Sequence, residues 1–377
     1  MFKTEIYRIF LRKFVIAAAV LCFCVTFLYG TMPVHEEIVI HEGEIFCQEN
    51  SRIAVAKDKE IAAEYTGYLT EETVLNIWER YGAPCRYENG VDGDTLMKAL
   101  EAGGSYNYCN RIVARLFCDA EEAEDGTVQY RLKENLSESP FLQGNYYFGY
   151  VGGGWEWYWD SFLTVFVLTC LIIIVATAPA FSEDYMCRTV NCILPTVKGR
   201  LSLWKNRTLA GCLFASAVYL LMTGTLFVQQ ICFYGTGAWR VSCGLTAVPM
   251  FWQQNAEPLW KALLFAHLCG WFSVIVLTLV VQGLSARCRQ TFSTVLWSLA
   301  FYAGPFALMR ILLDNLPMGR LNRLLHQLIY SMPFSYAGMM LNAPPNWRRL
   351  MTGFALAAAF LGVFLGARSW CRHQVEN

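Results

Sequence analysis

The chain contains no GxxxxGK[ST] phosphate loop, so it is not expected to bind and hydrolyse ATP by that route. It also contains no HExxH and no GxSxG, which removes the simplest metalloprotease and serine-hydrolase readings. None of its 15 cysteines forms a CxxC pair, so neither a zinc site nor a thioredoxin-like redox site has support from spacing. HEEIVIHEGE (35–44) offers His35, His41 and several Glu, but alternate strand positions scatter them over two faces, and the segment reads as a solvated strand. The expectation is a chain with no catalytic residues, no metal, no cofactor of its own and no nucleic-acid partner. Charge is scarce as well: 16% of the 377 residues are charged and 55% are hydrophobic, outside the usual range for a soluble globular protein.

What the chain has instead is long apolar runs, at about 14–31, 161–181, 208–234, 259–285, 292–312 and 350–367. Crossing a hydrocarbon core of roughly 30 Å takes about 20 helical residues, and six such runs in one chain predict a polytopic membrane protein. The net charge of zero hides an asymmetry: residues 32–159 hold 23 of the 30 acidic residues but only 10 of the 30 basic ones. Lys and Arg near span ends favour the cytoplasm. Lys3, Arg8, Arg12 and Lys13 therefore hold the N-terminus inside, and the first span reads as an uncleaved anchor. The acidic block then lies outside, and the basic link after the second span lies inside, as do Arg287, Arg289, Arg368 and Arg372. Arg320, Arg323, Arg348 and Arg349 press against this topology. LLHQLIYSMPFSYAGMML (324–341) holds His326, Gln327, Ser331, Pro333 and Ser335, and reads as a re-entrant or interfacial segment rather than a seventh crossing.

The expected fold is thus an all-α polytopic membrane protein with six transmembrane helices and a small α+β extracytoplasmic domain inserted between helices one and two. Its parts are residues 1–31 (cytoplasmic N-terminus and first helix), 32–159 (the acidic outer domain) and 160–377 (five membrane helices with a cytoplasmic loop at 182–207). Within the outer domain, TEETVLNIWERYG (70–82) predicts a helix capped by Thr70, with Val74, Ile77, Trp78 and Tyr81 on one face. GDTLMKAL (93–100) and NRIVARLFC (110–118) read as two more helices, and segments near 36–46 and 127–132 as strands. The aromatic run QGNYYFGYVGGGWEWYW (143–159) suits a membrane-interface belt. Cys47, Cys85, Cys109 and Cys118 are candidates for one or two disulfides, in any of three pairings, or for reduced core residues. His267, in FAHLCGW, is the polar candidate within a span, either functional or packed against a neighbouring helix.

The loop itself begins FSEDYMCRTVNCILPTVKGR (181–200). Glu183 and Asp184 are expected at the start of a helix, where negative charge complements the dipole. Tyr185, Val190, Ile193 and Leu194 give it a narrow apolar stripe, Pro195 ends it, and Thr196 to Gly199 form a turn. A short amphipathic helix on the inner surface serves equally to dock a soluble partner or to rest on lipid.

In this order of features the chain resembles the permease subunits of the type-2 ABC exporter family, in the bacterial branch with a large outer domain. Phe181, Asp184 and Tyr185 match that branch's Phe-x-x-acidic-Tyr motif, and Thr189, Thr196, Gly199 and Arg200 match the positions that follow. Arg207 stands where the family usually has Lys, and Arg188 where it favours Gly; DKEIAAEYTGYLTEETV (58–74) resembles the start of the outer domain in those proteins. The resemblance implies that the loop couples the permease to a separate ATP-binding subunit, which would carry the ATP and Mg. Phe181, Glu183, Asp184, Tyr185, Arg188, Thr189, Gly199 and Arg200 would make the coupling element, with Glu183, Asp184, Tyr185 and Arg188 on the docking face. It further implies a second permease subunit, as a homo- or heterodimer, in the lipid of a bacterial cell membrane. The substrate would be a peptide, a lipid-linked molecule or another amphiphile. The rival expectation is a membrane sensor or assembly protein whose outer domain binds a ligand.

Overall fold

The computed structural model describes residues 2–35, 37–46, 51–85, 103–122, 128–196, 198–246, 255–312 and 320–373. The chain is mostly helical, and six helices among the described residues are long and apolar enough to cross a membrane: 13–32, 158–186, 201–234, 259–287, 291–308 and 345–372. They coincide with the six apolar runs. Two compact units divide the chain: Met1–Thr26, Phe162–Leu226 and Leu264–Asn377 form the first, and Phe27–Ser161 with Phe227–Leu263 the second.

In the first unit a short helix α1 (Phe2–Phe10) precedes α2 (Lys13–His35), the first long helix. Further long helices run through it, among them α11 (Leu201–Tyr234), α12 (Leu259–Arg287), α13 (Thr291–Leu312) and α16 (Pro345–Arg372). Lipid tails are as apolar as Leu, so close backbone approach between membrane helices depends on small residues. The Gly362-x-x-x-Gly366 pair of α16 supplies them: a Cβ added at Gly362 would fall 2.9 Å from Val280 Cα and 3.0 Å from the Leu279 carbonyl oxygen of α12. The stretch 324–341 forms two helices, α14 (Arg320–Tyr330) and α15 (Pro333–Asn342), separated where Pro333 withholds its N–H. At 11 and 10 residues each is about 16 Å long, half of what a crossing needs. Tyr336 packs into a core with Cys269, Val276, Met340 and Met351, and its hydroxyl lies 2.9 Å from the Thr352 hydroxyl.

The second unit is built of short elements. β1 (Val39–His41) and β2 (Glu44–Phe46) form an antiparallel hairpin closed by Glu42 and Gly43, both at positive φ (50° and 82°), the backbone of a tight two-residue turn. α3 (Ser51–Ala63) follows, then β3 (Gly67–Tyr68) and α4 (Glu71–Tyr81). As the sequence predicts, the Thr70 hydroxyl accepts the Thr73 N–H, and Val74, Ile77 and Tyr81 are buried. α5 (Tyr108–Phe117) opens on a reciprocal cap between Asn107 and Asn110. The helix expected at 93–100 lies outside the described residues. β4 (Cys118–Glu122) pairs with β5 (Val128–Leu132), and β3 pairs with β6 (Tyr147–Phe148). Between β5 and β6 comes the single turn α6 (Pro140–Gln143), and after β6 the short α7 (Gly152–Glu156) leads into the long α8 (Tyr158–Thr177).

This unit is larger than the 32–159 block drawn from charge alone, because 227–263 belongs to it. The Ser242 N–H donates to the Tyr147 carbonyl (3.0 Å), the Tyr147 N–H to the Ser242 hydroxyl (2.9 Å), and Arg115 to the Leu245 carbonyl (2.6 Å). Of the aromatics assigned to a membrane-interface belt, Trp155, Tyr158 and Trp159 are buried and Trp157 alone is mostly exposed. Trp155 packs edge-on to Phe227, which stacks on Trp239. Cys85, Cys109 and Cys118 carry free thiols in this structure, the reduced alternative of the two that the sequence left open; Cys47 lies outside the described residues. Cys109 is sealed in the core formed by α5, where it serves as a small apolar residue.

Candidate functional site

After Thr177 the second long helix breaks and restarts as α9 (Pro179–Met186). Pro179 cannot donate to the helix ladder, and the Phe181 and Ser182 amides donate to the Ser285 hydroxyl instead (2.9 and 3.0 Å). Ser285 in turn donates to the Ala178 carbonyl at 2.5 Å, and the Tyr185 hydroxyl donates to the Ala286 carbonyl at 3.1 Å. The break is thus clamped to the end of α12. A single turn α10 (Val190–Ile193) follows, capped by Leu194, and Pro195 prevents its extension. Val190 and Leu194 are buried with Phe181, Trp204 and Trp370, while Tyr185 and Ile193 pack at the edge of that cluster. The apolar stripe read from the sequence is present.

Glu183 and Asp184 do not open the helix. They sit in the second half of α9, so the dipole does not favour them there. Arginines hold them instead. Arg207 of α11 donates through Nε to Glu5 Oε2 (2.9 Å) and through Nη1 to the Ala180 carbonyl (3.0 Å), and it pairs with Asp184 Oδ2. Its guanidinium lies 5.2 Å from the Phe181 ring centre and 5.6 Å from that of Trp370, a cation–π position on both. Arg8 of α1 reaches Glu183 (3.0 Å) and Asp184 (2.9 Å), Arg12 pairs with Glu183, and the Thr189 hydroxyl lies 3.2 Å from Asp184 Oδ1. Three guanidinium groups and three carboxylates alternate, and the set balances in charge. Beside it is a cavity of about 400 Å³ lined by Tyr7, Arg8, Leu11, Arg12, Glu183, Asp184, Cys187 and Thr189.

The residues predicted for the site therefore divide. Phe181 is fully buried, Asp184 is 4% exposed and Tyr185 is half-buried, so these three hold the loop in place rather than face outward. Glu183 keeps 41% side-chain exposure. Arg188 and Thr189 are exposed, together with Met186, Cys187, Asn191 and Cys192, and these make the outward surface of the loop. Arg188 has φ +57°, a left-handed backbone that Gly adopts freely and a side-chain-bearing residue does not. The helix accordingly stops at Met186 and the chain turns. Gly199 closes the next turn through its N–H to the Thr196 carbonyl (3.0 Å), and a Cβ there would collide with the Ile193 carbonyl. Trp370 donates to the Gly199 carbonyl (3.1 Å) and Arg200 to the Cys371 carbonyl, so the turn is tied to the end of α16.

Sequence reasoning missed Glu5, Arg8 and Arg12 as members of the site, and gave Arg207 no partner. The only signal was slight: Arg207 stands almost two turns into α11, beside Lys205 and Asn206 at the polar end of that helix, just before its apolar run. His267, the polar candidate of α12, stacks on Phe162 with ring centres 5.0 Å apart, and its carbonyl accepts the Tyr219 hydroxyl (2.9 Å). Among the described residues no group of three or more His, Cys, Asp and Glu is placed to hold a metal ion. Compared with protein-family models, curated proteins and solved structures, the chain matches none.

Proposed function

We propose that this chain is the membrane-spanning permease subunit of an ATP-binding-cassette exporter, and that the loop at 182–207 is where a separate ATPase subunit moves it. The observation that carries this reading is the buried Arg207–Asp184–Glu5 arrangement. It fastens α9 to α1 and to α11, while Ser285 and Ala286 fasten it to α12 and Gly199 to α16. A push on the exposed residues Met186 to Thr189, Asn191 and Cys192 therefore acts on several helices at once. A passive loop needs no such bracing. In this reading the N- and C-termini and the loop are cytoplasmic, the second unit is extracytoplasmic, and two permease subunits work with two ATPases that supply ATP and Mg. Closure of the ATPase pair switches the membrane path between inward and outward states. The cargo is a peptide, a lipid-linked molecule or another amphiphile.

The test is purification of the chain from its native membranes in mild detergent, with identification of what co-purifies and an ATPase assay. The substitutions belong on the outward surface, M186E with N191R, because Asp184 and Tyr185 hold the loop together. A phosphate-loop ATPase that accompanies the parent chain and is lost from the variant, with the variant still folded, supports the reading. A folded chain that brings no ATPase removes it and leaves the sensor or assembly role, with the second unit as the place to look.

A further inference from the structure

Among the described residues of the second unit, one cluster buries more negative charge than it neutralises. Asp58 of α3 is wholly buried, with one oxygen accepting the Tyr108 N–H (2.7 Å) and the other, Oδ2, without a hydrogen-bond partner. Arg111 of α5 stands 3.7 Å from that oxygen, near enough for attraction but beyond hydrogen-bond length, and its Nε and Nη2 are buried without partners. Glu37, two residues after α2, is 5% exposed and accepts the Gly153 N–H of α7 at 2.6 Å. Glu156, also on α7, pairs with Arg115 at 3.8 Å. Once that pair is set aside, Glu37 and Asp58 share Arg111 alone, and one carboxylate is surplus. Among the described residues, the other groups facing the cluster add no cation at its centre. Tyr108, Tyr150 and Tyr234 are neutral, as is the buried Cys109 thiol, while Lys59 lies 6.0 Å over the Tyr150 ring and Glu64 adds negative charge. His41, on the neighbouring β1, is paired to Glu42 at 3.6 Å.

A surplus carboxylate in a dry interior is resolved most cheaply by a proton. We propose that the Asp58–Glu37–Arg111 cluster is a proton-binding site, that Asp58 is its seat, and that its occupancy sets how firmly Glu37 joins the chain after α2 to the start of α7. Asp58 is the seat because Glu37 already holds a short hydrogen bond as an acceptor, whereas Asp58 Oδ2 has nothing to accept. Burial, with Glu37 and Glu156 nearby, outweighs Arg111 and the Tyr108 N–H and pushes the Asp58 carboxyl up to about 7; burial likewise raises Glu37. The two titrate as a pair. When the proton leaves, both carboxylates compete for Arg111, and Glu37 is drawn away from Gly153. Gly153 lies five residues before α8, so the proton count bears on the joint between the first two long helices. The inference is independent of the transport reading.

A group whose folded pKa is raised stabilises the fold fully below its unfolded value, and that contribution is lost as pH rises through the folded value. The experiment uses the full chain in detergent. Infrared spectra of protein carrying ¹³C-carboxyl aspartate, taken between pH about 5 and about 8, report the protonated carboxyl directly, and thermal unfolding is followed over the same range. The expected result is a protonated-aspartate band that fades through neutral pH, with a melting temperature that falls alongside it. In D58N the band is absent and the melting temperature is flat across the range. A band already gone at pH about 5, or one that persists unchanged in D58N, overturns the proposal. So does a D58N profile that keeps the parent slope at uniformly lower stability, which is what a purely structural aspartate gives. If D58N does not fold, the band of the unaltered chain decides alone.

Discussion

Asp184 and Arg207 form an ion pair in which both side chains are nearly sealed from solvent, at 5% and 3% exposure. Such pairs cost much in desolvation, and attraction repays it only where the remaining donors and acceptors are filled. Here they are. Arg207 also serves Glu5 and the Ala180 carbonyl, and Asp184 also takes Arg8 and Thr189. Removing one partner strands the other charge, so D184N and R207M are each expected to destabilise the chain by roughly 3–5 kcal/mol. The double variant D184N/R207M is expected to lose less than the sum of the two. Denaturant or thermal unfolding in detergent, arranged as a double-mutant cycle, measures this, and a coupling energy near zero would show that the pair carries no stability. R207K is expected to fall between, because an ammonium lacks the planar fork that reaches Glu5 and Asp184 together.

Arg188 gives a sharper local test. Its φ of +57° costs a residue with a Cβ about 1–2 kcal/mol. R188G is therefore expected to be more stable than R188A by about 1 kcal/mol, and R188V, with a branched Cβ, less stable than both. Equal stabilities across the three would mean that the loop relaxes out of this conformation in solution. The substitution tests the fold of the loop separately from any docking, because the Arg188 side chain is exposed.

Much of the architecture was readable from composition. A membrane helix is specified by its apolar length, and all six long helices lie where the apolar runs are. The Thr70 cap was readable for a different reason: the hydroxyl, the amide it accepts and the apolar face behind them all fall within a dozen residues. The candidate site is a long-range object and was readable only in part. Glu5 and Arg207 are 202 positions apart, and nothing in either neighbourhood names the other. The inward turn of Asp184 was hidden for the same reason. Acidic residues in a polar loop look solvated until the arginines that bury them are known. The extension of the second unit by 227–263 rests on backbone pairing such as Ser242 with Tyr147, which leaves no mark in hydropathy.

The thiols can be counted. Cys187 and Cys192 are exposed on the loop, whereas Cys109 and Cys118 are buried and Cys85 is half-buried, and all are free. Maleimide added to the folded protein without reductant is expected to modify Cys187 and Cys192 quickly and to spare Cys109. After denaturation, still without reductant, Cys85, Cys109 and Cys118 are expected to react fully. Peptide mass spectrometry checks each site. Any of these three protected until reductant is added would favour the disulfide alternative that the sequence left open.

The crossing of α12 and α16 is the last point where a single atom group decides the packing. At Gly362 an added Cβ meets backbone, the Val280 Cα and the Leu279 carbonyl, and backbone cannot rotate aside as a side chain can. Gly353, on the same helix, has nothing within 4 Å of an added Cβ. Overpacking a close-packed site costs typically 1–3 kcal/mol, and more where the helices themselves must separate. G362L is therefore expected to lose roughly 3 kcal/mol or more and to reduce folded yield, while G353L, of the same chemistry and helix propensity, is expected to be close to neutral. Size-exclusion profiles and melting temperatures of the two variants side by side measure the difference. Trp204 makes the comparison more informative, because it packs where a Cβ at the neighbouring Gly366 would go. If α16 is levered off α12, Trp204 and Trp370 lose their contacts, and the aromatic wall behind Arg207 opens with them. G362L should then also quicken proteolysis at α1, whose Glu5 depends on that arginine, and a variant that melts earlier without exposing α1 would place the crossing and the ion-pair cluster in separate cooperative units.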